Sequence, residues 1–329
     1  MRTVVYSSLF DFPLTLRELR SNLLEATADQ GELGATLRHS RPLQQVLEVA
    51  EGFVFLRGKR DCIQRRRQRE SRSRRLLEEN RWVLKLICAV PCTRLVALSG
   101  SAAHANVNRG GDIDLLIVTS GKRVWWAAVS ILLLTKLLGR RQTLCFNFIL
   151  SERHLKVEPE DLFSANQMIH LKPLIGEDLC RRFLEENPFV RRFYPSAEVG
   201  KAALDCRPGA FLAASKKVSE RVLSLGLGAV LELTCRKAYS AYLRSKARGW
   251  SSPDQVVLGQ DYLKLHTESH RMRILESFDK ACTKALQRIA DQAVGNRRRQ
   301  EAGGRRQEEG ETSREQASSS GLRSGDLGP

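Results

Sequence analysis

The stretch from Arg94 to Val118 constrains the fold of this chain more than any other. Arg94-Leu95-Val96-Ala97-Leu98 is an apolar run of strand length, and it ends in Ser99-Gly100-Ser101 followed by the small residues Ala102 and Ala103. A strand therefore delivers the chain to a tight turn that opens a helix. Eleven residues beyond Ser101, Asp112-Ile113-Asp114 leads straight into a second apolar run, Leu115-Leu116-Ile117-Val118. Residues i and i+2 of a strand share a face, so Asp112 and Asp114 project their carboxylates to the same side. Two carboxylates beside a helix N-terminus suit a divalent cation and a polyphosphate lying between them. The acids bind the cation, glycine lets the backbone approach the phosphates, and helix N–H groups face them. A dinucleotide loop is disfavoured because Gly100-Ser101-Ala102-Ala103 lacks the later glycines of G-x-G-x-x-G, and no G-K-[ST] ending marks a triphosphatase loop.

This arrangement resembles the nucleotidyltransferase superfamily that includes DNA polymerase beta, whose signature is strand, Gly-Ser, helix, then Asp-x-Asp on the next strand. The resemblance implies that Gly100 and Ser101 hold the terminal phosphates of ATP or another nucleoside triphosphate. It implies that Asp112 and Asp114 ligate Mg²⁺, with a two-metal site open, and that a nucleotidyl group passes to a hydroxyl acceptor. No motif names that acceptor. Members usually carry a third carboxylate on the next central strand, here Thr143 to Leu150, where the polar residue near the middle is Asn147. An amide can coordinate a metal through oxygen but brings no charge and cannot act as a base. Asp112, Asp114 and Asn147 are thus the candidate catalytic set, with Glu152, Glu158 or Asp161 open as substitutes for the missing acid. The whole chain more loosely resembles bacterial nucleotidyltransferase-domain proteins with an N-terminal winged-helix-like segment.

The expected fold class is α/β (α+β), a nucleotidyltransferase core with a mixed sheet and helical flanks. Residues 1–60 read as helix, helix, helix and hairpin, the outline of a winged helix. Thr15 to Glu18 has capping-box spacing, and Glu51-Gly52 forms a turn between Val46–Val49 and Phe53–Leu56. Residues 61–89 form a basic linking helix, 90–157 the core, 158–294 an all-helical domain that includes an amphipathic run from Tyr262 to Ile289, and 295–329 a disordered tail poor in apolar residues.

Lys and Arg outnumber Asp and Glu by 54 to 37, a net charge of +17, so a negatively charged partner is expected. Nine basic and two acidic residues lie between Lys59 and Arg75. Arg65, Arg66, Arg67, Arg69 and Arg72 are either a nucleic-acid phosphate surface or a solvated face between domains. The first of these supports a second functional reading, a nucleotidyltransferase fold without turnover that acts as a nucleic-acid-binding regulator. Eight scattered cysteines and a start without a leader pattern lead us to expect reduced thiols and a cytoplasmic location. The apolar stretch from Val124 to Leu138 is interrupted by Lys136 and falls short of the roughly 20 residues that span a bilayer, so it reads as a helix covering the sheet. His266 and His270 are one helical turn apart but lack the glutamate of a zinc-protease helix, and Cys88 and Cys92 read as core.

Overall fold

The computed structural model describes residues 1–196, 204–252, 256–265 and 270–292, and within these the side chain of Asn147 is not described. The expected tail and His266 lie outside the described residues. The N-terminal elements are α1 (Arg2–Ser8), β1 (Leu14–Thr15), α2 (Leu16–Ser21), α3 (Gln30–His39), α4 (Arg41–Val46), β2 (Leu47–Ala50) and β3 (Phe53–Leu56). The capping box forms as expected: Glu18 N donates to Thr15 Oγ1 at 3.2 Å and Thr15 N donates to Glu18 Oε2 at 2.8 Å. Glu51 and Gly52 both take positive φ, 53° and 80°, which a two-residue turn between right-twisted strands requires. A small antiparallel sheet ordered β1-β3-β2 results.

The basic segment forms α5 (Cys62–Glu79), and after a break at Asn80 the apolar residues that follow form α6 (Arg81–Cys88). Next come β4 (Thr93–Ser99), α7 (Gly100–Ala103), β5 (Ile113–Thr119), α8 (Val124–Leu137) and β6 (Leu144–Ser151). β4 and β5 are antiparallel, while β5 and β6 are parallel, with α8 as the crossover that parallel neighbours require. Trp125 is fully buried within α8.

The remainder comprises α9 (Leu162–Ile169), β7 (Lys172–Ile175), α10 (Glu177–Glu185), α11 (Phe189–Phe193), α12 (Ala210–Val222), α13 (Gly228–Lys246), β8 (Val256–Leu258), β9 (Tyr262–Leu265) and α14 (271–292). Among the described residues the main sheet has the order β7-β4-β5-β6-β9-β8, so the fold is mixed α/β around a mixed sheet. This corrects the all-helical reading of residues 158–294 and shows that 90–157 does not contain the whole sheet. Pro173 ends α9's helical run but is tolerated in β7 because that strand lies at the sheet edge. Tyr262–Leu265 is strand rather than the start of a helix, because Phe148, Ile149 and Leu150 of β6 offer an unpaired edge that it satisfies. Among the described residues no helix is long and apolar enough to cross a membrane.

Strand alternation sorts the core into two layers. Val96, Leu98, Leu115 and Ile117 face a cluster with α6, α8 and α13. Leu95, Ala97, Leu116 and Val118 face the other cluster, which includes α1, the N-terminal strands and α9 to α11. Asp112 and Asp114 have the parity of Leu116 and Val118, so the pair lies on the side covered by the N-terminal segment.

Candidate active site

The register of three strands builds the site. Ser99 at the end of β4 pairs with Asp114, which on its other side pairs with Cys145 of β6. Donor atoms of Asp112, Asp114 and Cys145 all lie within 4.8 Å of one another. A register shift follows, so that Leu116 is opposite Phe148. The third-strand residue level with Asp114 is therefore Cys145, two residues before the expected Asn147. The sequence carried a signal for Cys145, since it has the same parity as Asn147, but a thiol is easily passed over when a carboxylate is sought.

Gly100 is where β4 turns into α7, with φ of +57°. A Cβ there would lie 2.4 Å from Asp114 Oδ2, so only glycine admits the Asp114 carboxylate against the turn. The Gly100 N–H donates to Gln167 Oε1 of α9 at 3.3 Å, a contact that the sequence did not signal. Burial first, and the neighbouring Asp112 second, push the Asp114 carboxyl up to about 7. In the absence of a cation this carboxylate is thus held in an environment that disfavours its charge.

The loop from Ala105 to Gly111 carries the chain from α7 back to the Asp pair, and the basic helix holds it. Arg69 donates to Asn106 Oδ1 at 3.2 Å, Arg72 donates to Val107 O at 3.1 Å, and Ser73 Oγ accepts from Val107 N at 3.1 Å. The Asn106 amide N–H donates in turn to Ser101 O at 2.8 Å. Arg69 and Arg72 of α5 are thus partners of this protein's own chain. Arg66 is only 6% exposed, paired with Glu18 and Glu70 at 2.7 Å each and set over the rings of Phe12 and Phe53. Arg65 pairs with Asp61 and Asp11, Arg67 with Glu51, and Arg69 also with Asp11. The expected phosphate surface is corrected here for Arg66 and Arg69, which are packed side chains tying α5 to the N-terminal segment.

A cavity of about 1140 Å³ opens on the Asp pair, lined also by Ser101, His104, Gln167 and His170. The two imidazoles are in contact, tilted by 44° with ring centroids 3.9 Å apart. Burial, reinforced by Lys172, depresses both; His104 is lowered to about 4 and His170 also falls well below its ordinary value, so both are neutral at pH 7. Of the proposed substitutes for a third acid, Glu152 accepts from Gly121 N beyond the far end of β6, about 20 Å along the sheet from the Asp114 row. Asp161 caps α9 through Ser164 N and pairs with Arg271. Glu158 lines the cavity. The chain matches no family model, no curated protein and no solved structure.

Proposed function

We propose that this chain is a Mg²⁺-dependent nucleotidyltransferase with a DNA polymerase beta-like core, flanked by a winged-helix-like N-terminal segment and a largely helical C-terminal part. The observation that carries the reading is the close Asp112–Asp114 pair at the start of β5 with the left-handed Gly100 turn pressed against Asp114. Two close carboxylates, one of them disfavoured as an anion, form a donor set that a hard divalent cation fits. A Mg²⁺ ion held by Asp112 and Asp114 would supply charge neutralisation at the phosphates and orientation of the attacking hydroxyl.

The chain's own residues do the rest. Asp112 and Asp114 hold the cation, and Gly100 and Ser101 present the turn to the terminal phosphates of ATP or another nucleoside triphosphate. Gln167 yields the Gly100 amide to a phosphate oxygen, exchanging one acceptor for a charged one. The cavity has room for a hydroxyl acceptor alongside its aromatic lining, Tyr6, Phe10 and Phe12. The neutral imidazoles of His104 and His170 offer a proton acceptor that Cys145 and Asn147 on the third strand do not supply as a carboxylate would.

Titration with Mn²⁺, followed by electron paramagnetic resonance with and without a non-hydrolysable nucleoside triphosphate, tests the reading. Saturable Mn²⁺ binding that tightens with nucleotide and disappears in Asp112→Asn is expected. Binding that is absent, or unchanged by Asp112→Asn, overturns it.

A further inference from the structure

α12 is amphipathic with its polarity inverted. It has no buried residue, and it is fastened to the body of the protein by polar side chains. Lys216 Nζ donates to Cys88 O and Thr93 O at 2.9 and 2.7 Å, while Glu220 accepts from Cys92 N and pairs with Arg94. Along α12 and into the residues that follow it, Phe211, Val218, Val222 and Leu225, 84%, 59%, 45% and 81% exposed, recur at intervals of seven, four and three. That spacing makes one stripe along a helix. The chain then kinks at Leu225 and Gly226, where φ of Gly226 is +97°, and Leu227, Val230 and Leu233 just beyond the kink are exposed as well. Soluble proteins scatter exposed apolar residues singly, whereas a contiguous row marks a surface that binds something.

Charge selects the occupant. Residues 210–246 contain seven basic residues and two acidic ones. Both acids are turned inward, Glu220 as described and Glu232 accepting from the Trp125 and Trp126 amides at the start of α8. The exposed Lys217 and Arg221 lie beside the stripe, and Arg123 lies against Gly228 at the corner. An apolar row with a wholly basic fringe fits the boundary between the acyl chains and headgroups of an anionic bilayer. A second copy of this face would bring the same basic fringe and no exposed carboxylate to meet it.

We propose that the outer face of α12, with the Leu225–Leu227 corner and the start of α13, docks this protein peripherally on an anionic membrane surface. This inference is independent of the nucleotidyltransferase reading. Full-length protein is sedimented with vesicles of phosphatidylcholine alone and of equal parts phosphatidylcholine and phosphatidylglycerol. Binding to the anionic vesicles is expected, falling with salt and weak on phosphatidylcholine. Val218→Gln with Val222→Gln, and separately Lys217→Glu with Arg221→Glu, should each weaken it by roughly tenfold or more while the circular dichroism spectrum is kept. All four positions are surface residues, so these changes spare the core. No sedimentation with anionic vesicles overturns the proposal, as do variants that bind like wild type. A wild-type dimer that the glutamine pair converts to monomer, without vesicle binding, overturns it in favour of a second copy.

Discussion

Replacing Asp114 by Asn removes a charge that the metal-free protein tolerates poorly, and the size of the effect follows from the site. The carboxyl is pushed up to about 7 from an ordinary 3.8, so the folded state holds its proton about 3 units more tightly than the unfolded chain does. At about 1.4 kcal/mol per unit, ionising it in the folded state costs on the order of 4 kcal/mol above pH 7. Water screens this part-exposed group, so about half of that is expected. The sign is fixed: the raised value leaves Asp114 without penalty below about pH 4, and stability drains away as pH rises from there to about 7. Urea unfolding in the presence of a chelator measures it. Asp114→Asn should be more stable than wild type by about 2 kcal/mol at pH 8, with the gap closing towards pH 4. Adding Mg²⁺ at pH 8 should stabilise wild type and leave the variant unmoved. A gap independent of pH, or a variant less stable than wild type at pH 8, would refute the account of the Asp pair.

Gly100→Ala should keep the fold at a cost of about 1–2 kcal/mol for its left-handed backbone while displacing the Asp114 carboxylate, so Mg²⁺ should no longer raise its melting temperature. Arg66→Ala breaks a buried pair and leaves Glu18 and Glu70 uncompensated, which should cost about 3–5 kcal/mol in urea unfolding; an exposed, dispensable arginine would lose less than 1 kcal/mol. Cys145→Asp places a third carboxylate level with Asp114, so without metal the variant should melt lower than wild type, and Mg²⁺ should shift it further. Equal Mg²⁺-induced shifts in the two proteins would mean that residue 145 does not face the pair.

The segment Arg94 to Val118 was legible because each of its signals is local: apolar runs, a glycine turn and a two-residue carboxylate spacing survive in any strand. The capping box and the Glu51-Gly52 turn were legible for the same reason. What the sequence hid depends on partners far away in the chain. Cys145 rather than Asn147 stands level with Asp114 because of a register shift that appears only when β6 pairs with β5. β7 and β9 are four residues each, too short to declare themselves, and exist because β4 and β6 leave edges to fill. Arg66 reads as one member of an exposed basic run, yet Glu18, Phe12 and Phe53 arrive from the N-terminal segment to bury it. The contact of His104 with His170 depends likewise on α9 folding over the turn.

Calorimetric titration with each nucleoside triphosphate, with and without Mg²⁺, in wild type and Asp114→Asn, tests the central claim most directly. The account predicts saturable binding of at least one triphosphate that requires Mg²⁺ and is lost in the variant. Absence of binding at millimolar nucleotide, or heats that are the same without Mg²⁺ and in Asp114→Asn, would contradict it.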